Sequence, residues 1–414
     1  MNISDSERIA SVLESADYAR TPEIEHADLI IVNMCSVRQS AVDRVYGLAN
    51  KIEKEKLRKN GAKAVLAGCI LKKDKKKLAQ KFDFILDIKY LKKWPKIVDS
   101  SSPVLFSGRE LLKENYLTIK PRSFSSFSAY IPITTGCDNF CSFCVVPFAR
   151  GKEVSRPAKE IICEAKHFIR KGFKEIWLLG QNVNSYKGEN NTTFPKLLKA
   201  INNIPGNFWI RFTSSHPKDF SNELIKAIKK CQKVTKYLNL PLQSGDDSIL
   251  KKMNRPYTVL EYKRIVEKTR KAVPSLTLST DVIVGFPGET RKQFENTAKA
   301  FRKIKFDMAY ISEYSPRPQT AAAKMEDDVP KKEKTRRKEA INEILRKTAL
   351  EKNKKYIGKE VEALIDKKKS AGEWVGKTKE YKTIFIKSKK NLLGQFVRAE
   401  VVSAAPWGLR GKLL

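Results

Sequence analysis

The sequence predicts an α/β protein with three domains: a doubly wound α/β domain, a partial (β/α)6 barrel and a small all-β barrel. Short apolar runs alternate with amphipathic stretches in two successive series, which is typical of parallel strands connected by helices. Toward the end of the chain the runs are all β-type and are separated by turns with glycine or charged residues. We therefore place the domains at 1–121, 122–352 and 353–414.

The first series predicts a domain that begins with a helix. Helical patterns cover 4–19 and 40–59, and buried parallel strands are predicted at 27–34, 62–67 and 82–87. Because a doubly wound domain usually opens with a strand, we expect the sheet formed by this sequence to lack its first strand.

Two cysteines follow the first two of these strands. Cys35 comes directly after the strand at 27–34, and Cys69 follows the strand at 62–67. The carboxyl ends of parallel strands share one edge of a sheet, so we expect both thiols to face the same crevice. The alternative is that each cysteine is simply a buried core residue.

The second series predicts six strand–helix units. The strands are predicted at 129–134, 175–179, 208–213, 237–242, 276–284 and 308–314, and the helices at 157–171, 195–201, 220–230, 259–272 and 291–304. Six units at this spacing indicate a partial barrel whose active site lies at the carboxyl ends of the strands.

A cysteine-rich loop follows the first barrel strand. Cys137, Cys141 and Cys144 are spaced C-x3-C-x2-C, and three thiolates this close can hold three irons of a [4Fe–4S] cluster. No fourth cysteine follows, so one iron would keep an open position for a small molecule. The alternatives are unrelated buried cysteines or a zinc loop, whose nearest further ligands, Cys163 and His167, lie in a helical pattern.

This loop, with the aromatic Phe143 inside it, resembles the cysteine motif of the radical S-adenosylmethionine (SAM) superfamily. The continuation Val-Val-Pro-Phe-Ala-Arg-Gly-Lys-Glu-Val-Ser-Arg-Pro at 145–157 resembles the methylthiotransferases of that superfamily, among them those that act on isopentenyladenosine in tRNA. The resemblance implies that the open iron binds SAM and that an electron from the cluster cleaves SAM to a 5′-deoxyadenosyl radical. It also implies sulfur insertion and methylation at C2 of isopentenyladenosine beside the anticodon.

The resemblance implies a second, auxiliary [4Fe–4S] cluster with Cys35 and Cys69 as ligands. The family's first auxiliary ligand is a Gly-Cys that precedes a motif matched here by residues 1–7, and this Gly-Cys is absent. Two explanations stay open. One is a start codon assigned too late or a truncated gene, and the other is a variant whose auxiliary cluster is lost or held by two thiolates.

Polar loops follow the other barrel strands and resemble the SAM-binding loops of the family. By this resemblance Phe143 lies near the adenine of SAM, and Arg317 reaches either a substrate phosphate or a SAM carboxylate. The remaining SAM-binding residues would be Gly180, Gln181, Asn182, Ser214, Gln243 and Arg255. Taken singly, each loop is also compatible with ordinary turn chemistry. His216 is a weak acid–base candidate, and we expect no catalytic side chains beyond the clusters.

The charge balance predicts a polyanionic partner. Lys and Arg number 82 against 46 Asp and Glu, a net charge of +36, which favours nucleic acid over the alternative of a lysine-rich, soluble surface.

Residues 330–356 are predicted to form one long charged amphipathic helix. The tail sequences at 375–378 and 407–412 resemble the TRAM domain, an OB-like RNA-binding barrel, with a purely structural barrel as the alternative. Its candidate RNA-binding residues are Trp374, Lys377, Tyr381 and Arg410.

We accordingly assign 1–121 to an auxiliary-cluster domain, 122–352 to a radical SAM core and 353–414 to a TRAM domain. We expect no signal peptide, because residues 1–20 contain no apolar segment, and no membrane span, because no apolar run approaches ~18 residues. The odd number and uneven placement of the seven cysteines argue against a disulfide framework. We expect a cytoplasmic monomer that binds the tRNA anticodon stem-loop and a reductant such as flavodoxin or ferredoxin; the sulfur source stays open. Rival functions are methylthiolation of threonylcarbamoyladenosine in tRNA or of a ribosomal protein, and a non-catalytic RNA-binding remnant.

Overall fold

A computed structural model describes residues 1–37, 39–58, 61–100 and 116–414. The first domain contains α1 (Asn2–Glu14), β1 (Leu29–Cys35), α2 (Gln39–Arg58), β2 (Lys63–Cys69), α3 (Lys72–Leu78), β3 (Phe84–Ile85) and α4 (Trp94–Asp99). Its three parallel strands are in the order β1-β2-β3. The two short helices α3 and α4 were not predicted, and residue 59, the predicted end of the second helix, lies outside the described residues.

The first sheet is covered by helices on both faces, which confirms the doubly wound prediction. Successive side chains of β2 point to opposite faces, so Val65 and Ala67 pack on the side of α1 and α4. Ala64 and Leu66 pack on the other side, against α2.

The central domain begins with β4 (Ser128–Pro132), β5 (Thr134–Thr135), α5 (Val146–Arg150), β6 (Val154–Ser155), α6 (Ala158–Arg170), β7 (Glu175–Leu179), β8 (Lys187–Gly188), β9 (Thr192–Thr193) and α7 (Phe194–Asn202). It continues with β10 (Trp209–Phe212), α8 (Asn222–Lys230), β11 (Tyr237–Asn239), α9 (Asp247–Lys252), α10 (Val259–Ala272), β12 (Thr277–Val284), α11 (Arg291–Ile304), β13 (Met308–Glu313) and α12 (Lys331–Lys354).

The six long strands of this domain form one parallel series. The sheets β4-β7-β10 and β11-β12-β13 are joined by a parallel bridge between Ile210 and Val234. The predicted order of six parallel strands is therefore confirmed. The outer face carries Ile176 and Leu178 against the helices, whereas the small pairs β5–β6 and β8–β9 were not predicted.

The tail is a closed barrel of five strands. These are β14 (Glu360–Ser370), β15 (Glu373–Thr378), β16 (Thr383–Lys387), β17 (Phe396–Ala405) and β18 (Gly408–Leu413). Their order around the barrel is β14-β15-β16-β18-β17, and only the β16–β18 pair is parallel. Among the described residues, no helix is both long and apolar enough to cross a lipid bilayer.

A buried carboxylate joins the central domain, α12 and the tail. Asp307, just before β13, accepts hydrogen bonds from Lys352 of α12 at 2.6 Å and from Lys382 of the tail at 2.7 Å. Burial raises the pKa of Asp307, but the two ammonium groups outweigh burial and hold the pKa below its ordinary value. The carboxylate is therefore ionised and serves as the shared counter-ion of three elements.

We predict that Asp307→Asn lowers the free energy of unfolding by about 3 kcal/mol at pH 7, because the buried Lys382 and the half-buried Lys352 lose their counter-ion. The folded pKa of Asp307 is depressed, so its contribution is present above the unfolded value of about 3.9 and is lost as the pH falls through the folded pKa. The difference between wild type and variant in urea unfolding should therefore shrink below about pH 3.9.

The control is Asp17→Asn at an exposed aspartate, which should unfold like the wild type. Equal unfolding midpoints for wild type and Asp307→Asn at neutral pH would contradict this account.

Candidate functional site

The cysteine loop leaves the barrel at a glycine that no other residue can replace without strain. Gly136 has φ 80°, and a Cβ there would lie 2.0 Å from the carbonyl oxygen of Lys152. The next residue, Cys137, donates its backbone N–H to the carbonyl of Gly151 at 3.1 Å. The loop therefore starts pressed against the chain that follows α5.

Two other segments clamp the middle of the loop. Ser142 donates its backbone N–H to Met253 at 3.1 Å and its hydroxyl to Lys252 at 2.8 Å, both at the end of α9. Its own carbonyl accepts from the N–H of Ala322 at 2.8 Å. Hydrogen bonds to the end of α9 and to Ala322 therefore hold the backbone of the cysteine loop in place.

Two N–H donors point at the sulfurs. Asn139 Nδ2 lies 3.3 Å from Cys137 Sγ, and Arg255 Nη1 lies 3.3 Å from Cys141 Sγ. Arg255 is buried and is oriented by a second bond from its Nε to the hydroxyl of Tyr257 at 2.9 Å. Hydrogen bonds and positive charge of this kind stabilise thiolate ligands and tune the metal that they hold.

Burial raises the pKa of the Cys144 thiol to about 12 and also raises the pKa of Cys137. Bound iron would reverse this effect, because a cation stabilises the thiolate directly. Within the described residues, no three His, Cys, Asp or Glu side chains converge as ligands of a single metal ion. The three thiols with their N–H donors fit a cluster, in which each thiolate binds a different iron.

The mouth of the barrel is lined by buried polar atoms that have no hydrogen-bond partner among the described residues. They are Thr134 Oγ1, Gln181 Oε1, Asn182 Oδ1, Asn184 Oδ1, Ser215 Oγ, His216 Nε2 and Gln243 Oε1. All follow the carboxyl ends of β4, β7, β10 or β11. Since buried polar groups in proteins are normally bonded, this set fits a polar ligand at the mouth.

The predicted SAM-binding residues lie on these loops. A Cβ at Gly180 would be 2.2 Å from Thr134 Oγ1, so the loop after β7 requires glycine. Ser214 and Gln243 have φ of 65° and 67°, the left-handed region that non-glycine residues rarely adopt. Asn182 donates to Asp219 at 2.7 Å. Gln181 follows Gly180 on the same loop.

Two of the predicted SAM-binding residues, Phe143 and Arg255, contact other protein groups in this structure. Phe143 is half-buried against a small apolar cluster that includes Met253 and Phe286. Arg255 bonds to a cysteine sulfur of the loop, as described above.

His216 is a structural histidine. Its Nδ1 accepts from the backbone N–H of Lys218 at 3.2 Å. Burial, with the nearby charges of Arg255 and Lys218, lowers its pKa to about 2. The ring is therefore neutral at pH 7 and does not serve as an acid.

The structure places Cys35 and Cys69 side by side as the last residues of β1 and β2. Arg150, at the end of α5, donates its Nε to Cys69 Sγ at 2.9 Å. Its Nη2 donates to Asp5 at 2.8 Å and to Asn2 at 3.0 Å. One arginine therefore joins this cysteine pair to the helix that follows the Cys137–Cys144 loop.

Arg150 and Arg317 acquire roles that the sequence did not reveal. The sequence motif at 145–157 contains Arg150 and so singled out this segment. The motif did not, however, predict the bond between Arg150 and Cys69. Arg317 is buried and donates to the carbonyl of Ser36 and to the side chain of Gln39. This corrects the expectation that Arg317 reaches a phosphate or the SAM carboxylate, because its guanidinium instead binds the loop after β1.

Of the four predicted RNA-binding residues in the tail, only Arg410 lies on open surface, with 58% of its side chain exposed. Trp374 is 5% exposed in the core of the tail barrel and donates its Nε1 to Ser388 at 3.1 Å, so its ring is not free to stack on a base. Lys377 is half-buried, bonds Thr383 at 2.6 Å and lines a cavity of about 470 Å³ below the central barrel.

Tyr381 docks the tail on the central barrel instead of facing solvent. Its ring stacks on Tyr237 with centroids 4.3 Å apart, and the Arg211 guanidinium lies 4.8 Å from its centroid. Arg211 is fully buried, pairs with Glu175 and donates to the carbonyl of Thr378 at 3.1 Å. This interface was missed because an aromatic next to lysines also fits RNA binding.

The partial barrel and its three-cysteine loop define a radical SAM protein. Residues 131–301 match the Radical SAM superfamily, residues 1–87 match the uncharacterized protein family UPF0004, and residues 354–414 match the TRAM domain. Two solved structures share the fold. Radical S-adenosylmethionine methyltransferase TsrM from Kitasatospora setae has a TM-score of 0.55 at 14% identity over 78% of this chain and 73% of that one. The cobalamin-dependent enzyme OxsB has 0.55 at 11% over 82% and 53%.

The curated relatives are more similar. A protein of Dictyoglomus thermophilum named tRNA-2-methylthio-N(6)-dimethylallyladenosine synthase is 38% identical over 433 residues, covering 100% of this chain and 96% of that protein. One of Clostridium botulinum with the same name is 38% identical over 427 residues, covering 100% and 94%. The chain belongs to the family of these synthases, the radical SAM methylthiotransferases.

We predict that Gly136→Ala prevents the cysteine loop from closing, because the new Cβ collides with the carbonyl of Lys152. Iron content after anaerobic reconstitution should fall to less than half that of the wild type. The matched control is Gly151→Ala, which also has positive φ, 81°, but no atom within 4 Å of the added Cβ. Equal iron content in the two variants would show that backbone strain alone, and not the collision, governs the loop.

We predict that Tyr381→Ala loosens the tail on the central barrel and lowers the free energy of unfolding by about 2 kcal/mol, less than for a fully buried ring because Tyr381 is half-buried. Amide hydrogen exchange should rise in residues 378–382 and in β11. Tyr381→Phe keeps the stacked ring and should exchange like the wild type. Unchanged exchange in Tyr381→Ala would contradict this role and leave the docking to the other contacts, such as Asp307 with its lysines and Arg211 with Thr378.

Proposed function

We propose that this protein inserts sulfur at C2 of isopentenyladenosine in tRNA, beside the anticodon, and methylates it with SAM as the methyl donor. The observation that carries the proposal is Arg150, which joins the Cys35–Cys69 pair to the helix that follows the Cys137–Cys144 loop. Sulfur insertion requires two reactive centres beside one substrate, and this contact holds two cysteine sites together. The names of the curated relatives support the same reaction.

Cys137, Cys141 and Cys144 would hold a [4Fe–4S] cluster, and the mouth residues would bind SAM. When bound, the cluster and SAM supply the radical that removes hydrogen from an unactivated C–H, which side chains alone cannot do. Gly180, Gln181, Asn182, Ser214 and Gln243 would accommodate the polar groups of SAM. Arg255 would act mainly by stabilising the Cys141 thiolate. Phe143 would lie at the adenine side.

Cys35 and Cys69 would hold the auxiliary cluster. Burial raises the pKa of Cys69, while the adjacent Arg150 guanidinium opposes this and favours the thiolate. A [4Fe–4S] cluster takes up to four protein ligands, so these two thiolates are a partial set among the described residues. Arg150 would then orient the Cys69 sulfur and balance its charge.

The RNA partner would be the anticodon stem-loop. Support comes from the net charge of +36, the TRAM match at 354–414 and the exposed Arg410.

We infer a monomer that is reduced by a protein such as flavodoxin or ferredoxin. The domain division at 121 and 352 also remains our proposal. The relatives' names favour the dimethylallyl substrate over threonylcarbamoyladenosine or a ribosomal protein.

The test is to replace Cys137, Cys141 and Cys144 together by alanine and to express the variant in a strain that lacks its own methylthiotransferase. Mass analysis of tRNA nucleosides should show the methylthio product with the wild type and only background with the variant. Cys163→Ala, at an exposed cysteine of α6, is the matched control and should leave the product within about twofold.

Iron and sulfide analysis of the reconstituted wild type separates the remaining outcomes. About eight irons per chain would support two clusters, and about four would support one. Product formation by the triple variant, or a chain without iron, would refute the proposed function.

A further inference from the structure

Helix α3 carries five lysines on seven residues, and all five are exposed. They are Lys72, Lys73, Lys75, Lys76 and Lys77, which we call the α3 lysine face. None of them forms an ion pair or side-chain hydrogen bond with another described residue. In α12, by contrast, Glu333 pairs with Arg336 and Arg337, and Glu343 pairs with Arg346.

The positive charges of the α3 lysine face therefore repel one another. Lysines three and four residues apart lie side by side on a helix, and like charges in that arrangement destabilise it. A helix this short also has little intrinsic stability. It is held from beneath by the buried Leu78 and by Asp74, which accepts from the hydroxyl of Tyr46 at 3.3 Å. A polyanion would relieve the repulsion on the outer side.

The position of α3 connects this surface to the proposed site. The helix begins three residues after Cys69, so its first lysine lies within about 11 Å of that cysteine along the chain. Cys69 in turn accepts from Arg150, which follows the cysteine loop. The first residue of the lysine face therefore lies near the edge of the sheet that carries Cys35 and Cys69.

We propose that the α3 lysine face binds the ribose-phosphate backbone of the tRNA substrate beside the target nucleoside. The inference rests on the proposed function and adds the surface that orients the RNA. Lysine ammonium groups are point charges that contact phosphates without reading bases. Five of them along one short helix suit a partner with closely and regularly spaced negative charges, as in a nucleic-acid backbone.

The test compares two variants with the same change of charge. The α3 variant replaces all five lysines of the face by glutamine. The matched control replaces five exposed lysines on the outer helices α8 and α10 by glutamine: Lys226, Lys229, Lys230, Lys268 and Lys271. Binding of a fluorescent isopentenylated anticodon stem-loop is measured by anisotropy over a series of KCl concentrations.

We expect the α3 variant to bind at least tenfold more weakly than wild type at about 0.15 M salt. The slope of log affinity against log salt should fall by two or more, because each lost phosphate contact removes about 0.7–0.9. The control should bind within twofold of wild type. Without RNA, the melting temperature of the α3 variant should equal or exceed that of the wild type, since the repulsion is gone.

Wild-type affinity and salt slope in the α3 variant would overturn the inference while leaving the proposed function intact. The same result combined with slower reduction by flavodoxin would assign the face to an acidic protein instead. If the wild type itself fails to bind the stem-loop, the proposed function falls, and this inference with it.

Discussion

The structure of the site depends on the burial of one guanidinium, that of Arg150. With 9% of its side chain exposed, its charge has left water and must be matched inside the protein. Asp5 supplies the counter-charge, while Asn2 and Cys69 accept its remaining bonds. Since these partners belong to α1 and β2, the first domain can dock on the central barrel only where Arg150 is.

A buried cluster of three charged residues adds a second contact between the first domain and the central domain. Arg8 of α1 and Arg156 of the central domain both bind Glu164 of α6, at 3.0 Å and 2.7 Å. Arg317 adds a third tie, from the loop after β13 to the loop after β1. Arg150 and Arg317 thus both bind residues at or next to the Cys35–Cys69 pair. At the barrel mouth, by contrast, several buried polar atoms lack a partner among the described residues, and they lie on loops with left-handed residues such as Ser214 and Gln243.

The fold could be predicted from the sequence wherever interactions between residues close in the chain determine the structure. The bounds of α10 and α11 were predicted correctly, because Thr258 and Thr290 form capping boxes that fix where each helix begins. Helix α3 was missed because seven mostly charged residues carry almost no apolar periodicity. The positions of Trp374 in the barrel core and of Tyr381 at the docking surface were not predicted, since a β-type pattern does not distinguish such rings from ones that face solvent. Arg150 could not be assigned because its partners lie 81 to 148 residues away.

The arrangement of the tail barrel has a consequence for protein synthesis. Strand β18 lies between β16 and β17, so the barrel closes only after residue 413 has left the ribosome. At typical elongation rates the interval from the start of β17 to the end of β18 is roughly one to four seconds. During that time β16 and β17 present open hydrogen-bonding edges to neighbouring nascent chains. The tail barrel is therefore most exposed to mispairing between the synthesis of β17 and that of β18.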